Sequence, residues 1–204
     1  MLRFWPYTVL AILMLPFLAT QNVYAVNIYR VGEEIIGQDY DDVWKRWFDK
    51  KFSVWVGVED NYEGILFKAE TGLGIVTVTD KNSKIMREKL RKAVVKAIEW
   101  SDVARKNRAD ASNSLGCFGY GIIGFSEESG TAFDENQMCL KFFAANGGTQ
   151  TNLIISLVDR RNKFIKTTIY LNLQKMKEML NVVDQIESTF EKARKTAKDQ
   201  MLFK

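Results

Sequence analysis

The sequence predicts an α+β fold: an antiparallel sheet of meanders and hairpins packed by two long helices, arranged as two β-β-β-α units in one domain. Three observations carry that expectation. Short runs rich in β-branched and aromatic residues are separated by turn residues. Two long stretches carry apolar side chains at alternating spacings of three and four, the helical period. The order strands then helix occurs twice, which hints at duplication, although the two halves share pattern more than identity.

The chain opens with a different kind of segment. Arg3 is its only charged side chain before an apolar run from Tyr7 to Ala19. That run would cover roughly 20 Å as a helix, short of the roughly 30 Å hydrocarbon core of a bilayer. A polar stretch and Val23-Tyr24-Ala25 follow, with small residues where a signal peptidase reads. Residues 1–25 are therefore expected to be a cleavable signal peptide, and residues 26–204 a single exported domain. An uncleaved anchor is the alternative; no Lys or Arg cluster follows the run to stop transfer.

From the cut, residues 26–31 are expected to form a first strand, followed by an acidic, Gly-containing linker through Asp42. A short amphipathic helix is expected next, because Val43, Trp44, Trp47, Phe48 and Phe52 recur at helical spacing. A three-strand meander follows over 53–58, 64–69 and 74–79. Residues 83–106 read as the first long helix, with Met86, Leu90, Ala93, Val94 and Ala97 on one side and Asp80 or Ser83 as its cap. A polar loop over 107–114 leads to strands at 118–125, 137–145, 151–158 and 163–171, the last two joined by a hairpin at 159–162. The second long helix covers 173–200. Its stripe of Met176, Met179, Val183, Ile186, Phe190, Ala193 and Ala197 suits packing on its own sheet, with a homodimer through 173–200 as the other use of such a stripe.

Composition excludes several chemistries. The chain has no His, and both prolines lie in the expected signal peptide. Without imidazole there is no Ser-His-Asp triad, no Cys-His dyad and no HExxH zinc site. A net charge of +4 is mild and does not suggest a nucleic-acid binder. Cys117 and Cys139 form an even pair in a chain bound for an oxidising compartment, so a structural disulfide is expected; their spacing is not the CxxC of a redox pair.

Gly119-Tyr-Gly121-Ile-Ile-Gly124 matches GxGxxG in letters. It sits inside a strand-like run instead of opening a helix, so it does not read as a dinucleotide site. Acidic groups at Asp39, Asp41 and Asp42, at Glu59 and Asp60, and at Glu127, Glu128, Asp134 and Glu135 lack the ligand spacing of an EF-hand. No cofactor and no metal are expected. The Ser126 to Asn136 loop, carrying Glu127, Glu128, Asp134 and Glu135, is the first candidate for a functional edge. Trp44-Lys45-Arg46-Trp47-Phe48 is the second; it reads as core, as a partner contact or as a membrane-surface contact.

These features point to an exported, periplasmic or secreted binding domain without catalytic activity, with a protein or small molecule as partner, no nucleic acid and no membrane span in the mature form. An enzyme using carboxylate or Lys acid–base chemistry and an assembly subunit pairing through the C-terminal helix are the alternatives.

Overall fold

Alternation of side chains builds the sheet. Along one strand Phe52, Val54, Val56 and Val58 enter the core, while Trp55 on the other face donates its indole N–H to Ser53 Oγ at 2.8 Å and carries Lys68 over its ring. The computed structural model describes residues 27–59, 62–71, 74–119, 136–158 and 166–201. The expected signal peptide and the acidic loop residues Glu127, Glu128, Asp134 and Glu135 therefore lie outside the described residues.

Strands β1 (Asn27–Asp41), β2 (Arg46–Glu59), β3 (Tyr62–Thr71) and β4 (Gly74–Lys81) precede helix α1 (Lys84–Asn107). Strands β5 (Ala111–Phe118), β6 (Gln137–Ala145), β7 (Gln150–Val158) and β8 (Lys166–Asn172) precede helices α2 (Leu173–Asp184) and α3 (Ile186–Met201). All eight strands form one antiparallel sheet in the order β4-β3-β2-β1-β8-β7-β6-β5, so the halves meet where Gln38 of β1 faces Tyr170 of β8.

The fold is α+β as expected, but five features differ. Each helical segment follows four strands, not three. The C-terminal helix is divided at Gln185, whose backbone N–H donates to Val182 O. The helix expected from Val43 is instead a hairpin turn leading into β2. A short apolar run satisfies both periods, and here the aromatic and β-branched residues of Trp47 to Val58 took the extended form. The linker expected before it is strand as well: β1 shifts register between Val31 and Ile35, so Gly32, Glu33 and Glu34 form a bulge rather than a linker. The polar residues Ser112, Asn113 and Ser114, expected in a loop, lie on edge strand β5.

The helices cross over. Helix α1 packs on β5, β6 and β7 and α3 on β1 and β2, each on strands of the other half, while α2 lies over the joint of the halves on β1, β7 and β8. Ser83 Oγ accepts from Met86 N at the start of α1, as the sequence allows, and Arg108 closes it in the left-handed conformation. Met176, Met179, Val183, Ile186, Phe190 and Ala193 are buried in the common core. Arg87 pairs with Glu187 and Arg91 with Asp184, tying α1 to α3 and α2. Arg194 donates to Glu63 on β3 at 2.9 Å and holds that carboxyl below its ordinary range.

Cys117 and Cys139 face each other in register across β5 and β6 and are bonded. On the chain-entropy account such a closure stabilises the fold by about 3 kcal/mol. Of the GxGxxG string only Gly119 is described. It ends the run after β5 with φ +88°, donates its N–H to Asp80 Oδ2 at 2.7 Å, and lies so close to β4 that a Cβ would sit 2.3 Å from Val78 Cγ1. Close approach accounts for this glycine without a nucleotide.

Candidate functional site

Strands β1 and β2 run past their neighbours. Among the described residues the last β2–β3 pair is Phe52 with Ala69, and β1 pairs in register with β8 at Gln38. Beyond those points the β1–β2 ladder continues through Asp39 with Phe48, Tyr40 with Trp47 and Asp41 with Arg46. The result is a two-stranded ribbon projecting from the sheet.

Local chemistry closes its tip. Asp41 Oδ1 accepts from the backbone N–H groups of Val43 at 2.8 Å and Trp44 at 2.9 Å, an Asx turn. Lys45 completes the four-residue turn at φ 51°. The two N–H donors, that of Trp44 first, hold the Asp41 carboxyl below its ordinary range, whereas partial burial pushes that of Asp39 up. Two neighbouring carboxyls of opposite shift resemble an acid–base pair. One of them is already engaged by the turn, however, and neither lines a described cleft.

Pleat sorts the ribbon's side chains. Gln38, Tyr40, Trp47 and Asp49 share one face; Asp39, Asp41, Arg46 and Phe48 share the other. On the first face Tyr40 and Trp47 meet edge-to-face at 5.3 Å, and Trp47 meets Tyr170 of β8 at 5.1 Å and 87°. On the second, the Arg46 guanidinium lies 4.3 Å from the Phe48 ring centroid. At the tip Val43 is 84% exposed and Trp44 71%; Trp47 is 45% exposed despite its two ring contacts. The expectation that this segment would be core does not hold for Trp44 and Trp47, which are 71% and 45% exposed; among the described residues no helix covers the ribbon.

At the ribbon's root lies a cleft of about 340 Å³ whose polar lining comes from Gln38, Asp49, Asn152, Tyr170, Asn172 and Lys175. A second hollow of about 320 Å³ at the β1 bulge is lined by Glu33, Glu34, Glu178 and Gln185 among others. Among the described residues no group of three or more Cys, Asp or Glu side chains is placed to hold a metal ion, and no helix is long and apolar enough to cross a membrane.

Of the sequence candidates, Trp44 and Trp47 come together on the ribbon and Cys117 is joined to Cys139 far from it. Sequence reasoning missed Tyr40, Asn152, Tyr170 and Asn172. Alternation of Gln38-Tyr40 against Trp47-Asp49 about a four-residue turn was the available signal for the first; the others sit on strands that read as core. Comparison with known proteins finds no matching family model, no matching curated protein and no matching solved structure.

Proposed function

We infer that this is an exported, periplasmic binding domain without catalytic activity, which docks a protein partner through the tip of the β1–β2 ribbon. One observation carries the reading: Val43, Trp44 and Trp47 stand exposed on an arm that the sheet does not need for its own packing. Export rests on the N-terminal sequence, and a bonded cysteine pair is compatible with an oxidising compartment.

Charge selects the class of partner. Asp41 and Asp42 alternate with Lys45 and Arg46 around the aromatics, and Lys45 lies 3.8 Å from Asp42. A nucleic acid or an anionic bilayer would favour a surface dominated by cations. Aromatic side chains beside Arg, with mixed charge at the rim, are the composition of protein interfaces and of their energetic centres. Val103 on α1, 53% exposed and remote in sequence from the arm, serves as a control.

A photo-crosslinking residue placed at Val43, and separately at Val103, tests this in the native compartment. The expected result is one protein joined at position 43 alone, which then binds the purified domain and loses that binding at least tenfold with Trp44→Ser or Trp47→Ser. Equal labelling from both positions, or binding of the captured protein that is indifferent to both substitutions, would overturn the reading. Co-flotation with anionic vesicles that depends on Trp44 would replace the protein by a membrane.

A further inference from the structure

The cleft at the ribbon's root shares only Trp47 with the tip, so substitutions at Gln38 and Asp49 on one side and at Trp44 on the other read the two separately. Register assembles it. Asp49, Gln38, Tyr170 and Ile154 follow one another across β2, β1, β8 and β7, and Asn172 faces Asn152 two residues further along β8 and β7. All six therefore project from one face of the sheet. Helix α2 begins at this point, with Asn172 Oδ1 accepting from Lys175 N at 3.0 Å.

Asn152 is the unusual member. It is 8% exposed and lines the cleft, and among the described residues its side-chain amide has no hydrogen-bond partner. Because Asn152 lines an open cleft, its amide is met by water in the free protein and is available to a ligand that replaces that water. Its amide atoms are not among the sealed, partnerless ones, which among the described residues are Asn82 Oδ1 and Arg87 Nε. Among the described residues the side chains of Gln38 and Asp49 likewise have no hydrogen-bond partner, and Asn172 uses its Oδ1 toward Lys175 N.

We propose that this cleft binds a short, uncharged saccharide, with Gln38, Asp49, Asn152 and Asn172 reading ring hydroxyls while Tyr170 and Trp47 flank a ring face. A hydroxyl both donates and accepts. Side-chain amides offer both functions on one planar group and the carboxylate accepts, so this set matches vicinal hydroxyls. The Tyr170 ring supplies an apolar wall beside the polar row, and the Trp47 ring stands against it on the same face at 5.1 Å and 87°. An anion is disfavoured by the Asp49 carboxylate and by Lys175 Nζ, which is held by Glu178 at 2.8 Å. The volume falls at the small end of ligand sites and suits one or two sugar rings.

The test is a titration of the disulfide-bonded exported chain followed by ¹H–¹⁵N NMR, reading the side-chain amides of Gln38, Asn152 and Asn172 and the Trp47 indole. The probes are cellobiose, maltose and chitobiose, with inorganic phosphate and trialanine as the rival chemistries. One disaccharide is expected to move these signals saturably with a Kd at or below about 1 mM. Gln38→Ala and Asp49→Asn, both exposed and therefore safe for folding, should weaken that Kd at least tenfold with unchanged thermal unfolding, and Trp44→Ser should leave it unaltered. No response to any of the three sugars, a response to phosphate or trialanine alone, or a Kd indifferent to both variants would overturn the proposal. Because Trp44→Ser is the probe of tip docking, failure at the cleft and failure at the tip are read separately.

Discussion

The β1–β2 ladder is one continuous pair of strands with two different physical lives. Within the sheet, Val31, Ile35, Phe52, Val54 and Val56 are sealed between neighbouring strands and the helices that cross over them. A few residues further along the same strands, Val43, Trp44 and Trp47 face solvent. Apolar side chains of similar kind thus hold the fold together in one stretch and contribute little to it in the other. Burial, and not residue type, decides what an aromatic residue does for stability.

The sharpest way to break that contrast is to truncate on the buried side. Phe52 is the last residue of β2 paired to β3, is fully buried, and stacks on Phe67 at 6.4 Å. Phe52→Ala removes that contact and leaves a cavity, with an expected loss of about 3–5 kcal/mol. Urea unfolding of the disulfide-bonded protein measures it. A loss below about 0.5 kcal/mol, the range of ordinary surface changes, would mean that the sealed stretch is no different from the exposed one.

The boundary between the two stretches is Gly37. A Cβ there would lie 2.4 Å from Ile169 Cγ2 and 2.7 Å from Leu171 Cδ2, so β1 lies directly against β8 where the ribbon departs. Gly37→Ala is expected to cost about 1–3 kcal/mol through overpacking. It should also shift the NMR signals of Gln38 and Tyr170 more than those of Trp44, since the strain falls at the root and not at the tip. A neutral substitution would place the boundary elsewhere.

Much of this was legible in the sequence, and the failures share a cause. Helix α1 and its Ser83 cap, and strands β3, β4, β6 and β7, follow from local period and local capping. The hairpin at Val43 does not, because Val43, Trp44, Trp47 and Phe48 satisfy a helical period, whereas the strand is fixed by Tyr40 and Tyr170, partners distant along the chain or in another half. The cleft is harder still. Asn152, Tyr170 and Asn172 become a site only through register, and a shift of one residue would send each to the opposite face. Period is written locally; register is not.

Acidity sharpens the comparison within the ribbon itself. The Asp39 pKa is raised from 3.8 by burial, so its folded form holds the proton more tightly and its contribution to stability falls as pH rises from 3.8 through the folded value. The Asp41 pKa is lowered from 3.8 by the turn N–H groups, so its contribution is complete above 3.8 and is lost as pH falls through the folded value. The amide signals of Val43 and Trp44 should therefore titrate at lower pH than the Asp39 carboxyl. The reverse order would dissolve the Asx turn as the device that shapes the tip.

The smallest effect is the most informative. Trp44 is large, yet it is 71% exposed at the turn, and its backbone N–H rather than its ring is what the turn uses. Trp44→Ser keeps that N–H and removes only solvent-facing surface, so thermal or urea unfolding should change by less than about 0.5 kcal/mol. If the change instead approaches that of Phe52→Ala, the indole is packed and the tip is part of the core. A near-zero effect on folding, combined with lost binding to the partner captured at Val43, separates the two stretches completely: the sheet end of the ladder is constrained by the fold, and the exposed end by what it meets.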